Sequence, residues 1–80
     1  MATPVAIVQM VAEEFGLTAD DLTGRVRTAK IALARQVAMY FIRQKTGLTL
    51  ADTGHLLGGR TPATVSWGYQ RIAGVRGGKK

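Results

Sequence analysis

Threonine-led start signals, each followed by a glycine stop, recur along this chain and leave room for little except helices. Thr3 before Pro4 reads as an N-cap with proline at the first helical position, where its missing N–H costs nothing. Thr61-Pro62 repeats that signal, while Thr18 with Asp21 and Thr49 with Asp52 have the spacing of a capping box, in which hydroxyl and carboxylate each satisfy an exposed backbone N–H. Gly16, Gly24, Gly47 and Gly58-Gly59 stand where helices opened this way would have to stop. The marks predict helices over about 4–15, 17–23, 28–46 and 50–57, with a last one opening at Pro62 and running to near Val75. No stretch alternates as a strand would. The expected fold class is all-α, a small helical bundle.

Helical spacing also predicts the buried faces. Val5, Val8, Val11, Ala12 and Phe15 share one, Ile31, Ala34, Val37, Ala38, Phe41 and Ile42 another; Leu50, Leu56 and Leu57 add to the core, as do Val65, Gly68, Tyr69, Ile72 and Val75. Eighty residues suffice for a single domain, expected over 1–76 with a disordered basic tail at 77–80. A chain of this size buries only roughly 60% of its unfolded surface. It holds no cysteine and one histidine, so no disulfide and no zinc cage is available, and packing must supply the stability. The strongest apolar run, Ile31–Ile42, is broken by Arg35 and Gln36 and is far shorter than a membrane span. The first 24 residues hold four acids and no base, the opposite of a signal peptide's start, so no leader is expected and the compartment expected is the cytoplasm.

Charge is distributed unevenly. The net charge is +6, yet residues 1–24 carry only acids, whereas from Arg25 onward all eleven bases face the single acid Asp52. A small domain with that asymmetry suits a polyanion, most often nucleic acid. Two short capped helices joined by a glycine turn, 50–57 and the one from Pro62, form the pattern of a helix-turn-helix, whose second helix lays its N-terminal residues in the major groove.

The residues themselves resemble a known family. Ala34–Tyr40 (Ala-Arg-Gln-Val-Ala-Met-Tyr), Thr46-Gly47-Leu48-Thr49-Leu50, Gly58-Gly59-Arg60 and Thr64-Val65 with Tyr69 and Ile72 are similar to the C-terminal DNA-binding domain of the bacterial replication initiator DnaA. Val11-Ala12, Phe15–Thr18 and Asp21-Leu22 fit the same domain's first helices, so the resemblance spans about residues 5–73 without a gap. It implies an all-helical bundle that reads double-stranded DNA in a nucleoid-associated setting. It further implies that Arg25 and Arg27 lie in a basic loop, with Arg27 where the family inserts an arginine into the minor groove. Arg43 falls on a phosphate-contacting basic position and Leu50 on a backbone-contacting leucine. On charge alone, Arg25, Arg43 and Lys45 are the residues expected to supply phosphate contacts.

One departure is pointed. After Gly-Gly-Arg the family has Asp-His-Thr-Thr-Val, whose Asp, His and first Thr contact bases; here those places hold Thr61, Pro62 and Ala63. Thr61, Ala63, Thr64, Ser66 and Trp67 are expected to be presented to bases, with Arg60 and Pro62 among the DNA-binding residues. Thr61 is consumed as a cap and Pro62 has no donor, so a weaker or shifted preference falls to Thr64, Ser66, Trp67 and DNA shape. Trp67 has two open roles, stacking on a base or packing a bundle edge.

Enzymatic chemistry lacks its parts. His55 has no nucleophile or acid implied by spacing, and the pairs Glu13-Glu14 and Asp20-Asp21 diverge by about 100° on a helix. There is no phosphate-cradling G-x-x-x-x-G-K-[ST] loop, hence no ATPase. No cofactor, metal or small-molecule substrate is expected, and no membrane. Met1, the altered tip and the Gly77–Lys80 finish favour a free-standing binder over a fragment. The leading function is sequence-selective double-stranded DNA binding by a transcription or replication regulator. The alternatives are a non-specific or architectural DNA-binding protein and a module that docks RNA polymerase or replication proteins.

Overall fold

Every helix among the described residues begins on a threonine. The computed structural model describes residues 3–26 and 28–76, the last by its backbone; the expectations for Arg27 and for a disordered tail at 77–80 lie outside the described residues. The five helices are α1 (Pro4–Glu14), α2 (Ala19–Thr23), α3 (Ala29–Lys45), α4 (Leu50–Leu56) and α5 (Pro62–Arg76), and there is no strand among the described residues. Thr3, Thr28, Thr49 and Thr61 each accept through Oγ1 from the N–H three residues on, at 3.1, 3.3, 3.0 and 3.2 Å. Thr18 and Asp21 complete the box: the Asp21 N–H donates to Thr18 Oγ1 (3.2 Å) and the Thr18 N–H to Asp21 Oδ2 (2.9 Å). A lost threonine cap costs about 1 kcal/mol. Thr49→Ala is therefore expected to lower the melting temperature by about 4–8 °C and Thr49→Ser to leave it nearly unchanged, in a thermal melt followed by circular dichroism.

Helix ends divide into two kinds. Gly16 takes φ +69°, and Gly58 and Gly59 take φ +90° and +86°, so these stops need the left-handed backbone that glycine adopts freely. Gly47 does not, contrary to the sequence pattern. Thr46 caps α3 in extended conformation, its hydroxyl donating to the Ile42 carbonyl (2.7 Å) and accepting from the Leu48 N–H (3.2 Å). The side chain supplies the stop and Gly47 merely follows it.

The central beam is α3, which packs against each of the other four helices. Leu22, Ala34, Ala38, Met39, Ile42, Leu57 and Val65 are buried along it, and full burial of a Leu, Ile, Val or Met side chain contributes about 1.5–3 kcal/mol. The face of α1 is rotated from the expected one: Ile7 joins Val8, Val11 and Ala12 inside, and Val5 is 55% exposed. At the other end Val75 is 76% exposed, because the last turn of α5 runs beyond the bundle. Arg35, which reads as an interruption of an apolar run, is buried at 7% exposure. None of the helices among the described residues is long and apolar enough to cross a membrane.

Candidate nucleic-acid interface

Two glycines without freedom to change seat α5, one against the turn after α4 and one against α3. Gly54, inside α4, is buried and its carbonyl accepts the N–H groups of both Gly59 and Arg60 at 2.9 Å; a Cβ there would run into the Arg60 carbonyl. Gly68 lets α5 lie against α3, since a Cβ would sit 2.5 Å from Met39 Sδ and 3.3 Å from Gln36 Cγ. With Val65, Gly68 and Ile72 turned inward, helical geometry turns Ala63, Trp67, Gln70 and Gly74 outward as one stripe, and all four are exposed. The short α4, the longer α5 and the turn between them thus present the N-terminal turns of α5 to solvent.

At that tip the small polar side chains hold one another. Thr61 Oγ1 caps the Thr64 N–H and lies 2.9 Å from Thr64 Oγ1, so this threonine is occupied as a cap. Pro62, Ala63 and Thr64 are exposed, whereas Ser66 is half-buried and accepts from Gln70 Nε2 at 3.4 Å. Trp67 is 57% exposed with the Arg71 guanidinium carbon 5.3 Å from the ring centroid. It borders a cleft with Gln36 and Met39 of α3 while exposing the rest of its ring, which leaves both of its roles open.

Of the basic residues expected at the interface, Arg25, Arg43, Lys45 and Arg60 are not brought to one face. Arg25 is exposed and lines a cleft of about 330 Å³ with Gly58, Gly59 and Arg60, beside the turn that precedes α5. Arg43 is exposed near the start of α4, its Nη1 donating to the Leu48 carbonyl at 2.6 Å, and Leu50 is half-buried against the core. Lys45 is not brought to this group. It lies nine residues beyond Gln36, which faces α5, and so half a turn round α3; there it lines an apolar groove of about 290 Å³ with Ile7, Phe15 and Phe41. Arg60 points inward: Nη1 donates to the carbonyls of Leu57 (2.5 Å) and Thr23 (3.3 Å), and Nη2 to that of Gly24 (2.6 Å).

Sequence reasoning missed Arg35. Its Nε donates to the Leu22 carbonyl at 2.7 Å and its Nη2 to those of Asp21, Gly24 and Val26, each at 3.3 Å. The only available signal was the position of an arginine at helical spacing between Ile31 and Ile42.

A family model described as Bacterial dnaA protein helix-turn-helix matches residues 4–72, which is most of the chain. The chain belongs to the bacterial DnaA helix-turn-helix family. Similar DnaA proteins, each a chromosomal replication initiator protein, include that of Chloroflexus aggregans, 44% identical over 68 residues, and that of Thermus thermophilus, 41% identical over 71. A third, from Leifsonia xyli, is 44% identical over 70 residues. These matches cover 85%, 89% and 88% of this chain but only 14%, 16% and 15% of the respective DnaA proteins. Among the DnaA-family features, the helix-turn-helix of α4 and α5 is in place. The tip residues Thr61–Ala63 occupy the first turn of α5 and its cap, within the matched range.

Proposed function

We propose that this chain binds double-stranded DNA by laying the N-terminal turns of α5 in the major groove, as a regulator of replication or transcription that performs no catalysis of its own. The exposed stripe on the second helix of a helix-turn-helix carries the proposal, together with membership of the DnaA helix-turn-helix family. The N-terminal end of α5 is the positive end of its dipole and favours a nearby phosphate. Arg25 lies beside the turn before α5, where it can hold the backbone, and Arg43 does the same from the last turn of α3, close to the start of α4. Arg27 is assigned to the minor groove by the family resemblance, since a narrow A·T-rich groove concentrates negative potential and favours a guanidinium. Lys45 faces the other side and is left out of the interface.

Sequence preference then falls to Ala63, Thr64 and Trp67, supported by DNA shape. Ala63 offers a methyl suited to thymine, and Trp67 a broad apolar face one turn along the same stripe. One observation favours a second reading, non-specific or architectural binding: Thr61 is consumed as a cap and Pro62 has no donor, so the tip offers few groups that tell bases apart.

Binding to duplexes of selected and random sequence, followed by fluorescence anisotropy across a salt series, tests both. Log affinity is expected to fall linearly with log salt, at about −0.9 per phosphate contacted. Arg25→Ala and Arg43→Ala should each weaken all duplexes alike and flatten the slope by about one unit. Salt-insensitive binding would sink the proposal. Equal affinity for selected and random duplexes would favour the second reading.

A further inference from the structure

The loop between α2 and α3 carries Arg25 and, next but one in the chain, Arg27, yet it has little apolar anchorage of its own: Val26 is 52% exposed and Arg25 is exposed. What holds it is a set of backbone carbonyls gathered on two guanidinium groups. Arg35, buried on α3, takes the carbonyls of Asp21, Leu22, Gly24 and Val26. Arg60, two residues before α5, takes those of Thr23 and Gly24 while also holding the Leu57 carbonyl of its own turn. The Gly24 carbonyl is shared, at 3.3 Å from Arg35 and 2.6 Å from Arg60. A third contact closes the join, because Gly58 approaches the Thr23 carbonyl so closely that a Cβ would collide with it. One acceptor therefore ties α3, the basic loop and the turn before α5.

We propose that Arg35 and Arg60 are positioning residues for DNA binding, which lock the basic loop to the helix-turn-helix so that both reach the duplex as one rigid body. The inference rests on the DNA-binding reading above. A loop left free must be ordered on the DNA, and that lost entropy is subtracted from affinity; a loop already held is presented at no further cost. Lysine cannot substitute, because one compact ammonium does not reproduce a planar fork that serves several carbonyls at once.

The test is a double-mutant cycle on the full chain, with duplex affinity read by anisotropy and folding by circular dichroism. Arg60→Lys is expected to keep the helical spectrum and weaken duplex binding by about tenfold, within the range for directly coupled residues. In a background of Arg25→Ala and Arg27→Ala, the same change should cost less than about twofold, since the loop then has nothing to place. Amide exchange without DNA supplies the second readout: the loop amides from Arg25 to Thr28 should exchange faster in Arg60→Lys while those of α5 stay as they were. Should Arg60→Lys fail to fold, Arg35→Lys takes its place with the same expectations. An equal loss in both backgrounds, no loss in either, or loop exchange unchanged overturns the inference alone. A wild-type chain that binds no duplex overturns the DNA-binding reading and the inference with it, while the exchange result still reports whether the two arginines hold the loop.

Discussion

Gly54→Ala is expected to destabilise the chain by about 3 kcal/mol, enough to lower its melting temperature by roughly 12–24 °C. The sign is informative. In an ordinary helix interior, alanine is favoured over glycine by about 1 kcal/mol, so propensity alone predicts a more stable protein. At Gly54 a Cβ would enter the Arg60 carbonyl, and the same peptide oxygen of Gly54 accepts two N–H donors that cannot follow if the turn is pushed away. Backbone meets backbone there, with no flexible side chain to give. Gly74→Ala in α5 is the control: nothing lies within 4 Å of its added Cβ, and it should stabilise by about 0.5–1 kcal/mol. Thermal melts of the two variants decide the matter, and a Gly54→Ala protein as stable as the parent would mean that α4 and the turn do not approach as described.

Restoring the family's Asp-His-Thr at the tip should have the largest effect on recognition. Thr61→Asp keeps the cap, because aspartate serves as well as threonine at that position, and Pro62→His and Ala63→Thr change exposed side chains. The fold should survive. Each well-made bidentate base contact contributes about 1–3 kcal/mol of discrimination, so the triple replacement is expected to raise affinity for the family's DNA box by about 100-fold over a scrambled duplex. The unaltered chain should show no such preference. Competition binding with box, scrambled and selected duplexes gives the comparison. If the unaltered chain already prefers the box, or if the replacement leaves its preference where it was, then residues 61–63 do not face bases.

Much of the architecture was legible because its signals are local. A threonine three residues before an acid, or directly before proline, carries its own partner in the next turn, and all four such marks open helices at Pro4, Ala19, Leu50 and Pro62. Gly58-Gly59 was legible for the same reason. The misplacements arise where the partner is distant or is backbone. Arg35 looks like a flaw in an apolar face because the carbonyls that satisfy it lie nine to fourteen residues away and have no side-chain signature. Gly54 looks like a weak point in a short helix until Arg60 is folded back on it. Ile7 and Val5 are interchangeable to a pattern of spacing, and only the packing of α1 on α3 and α2 chooses between them. Lys45 shares sign and neighbourhood with Arg43, yet two residues along a helix are about 200° apart, and that rotation takes it to the opposite groove.

The two-arginine join has a consequence for how this domain meets changing solution conditions. Its acceptors are peptide carbonyls, which do not titrate, and its donors are guanidinium groups that stay protonated throughout the range in which proteins fold. These bonds pair a charge with dipoles at close range, buried at Arg35 and partly buried at Arg60, so mobile ions screen them less than they screen an exposed pair. Salt therefore acts on one half of the machinery only. On the proposed DNA-binding reading, it strips the domain from the phosphates while the two arginines keep loop and helix in register, so that a chain released at high salt is ready to bind again, without refolding, as soon as the salt falls.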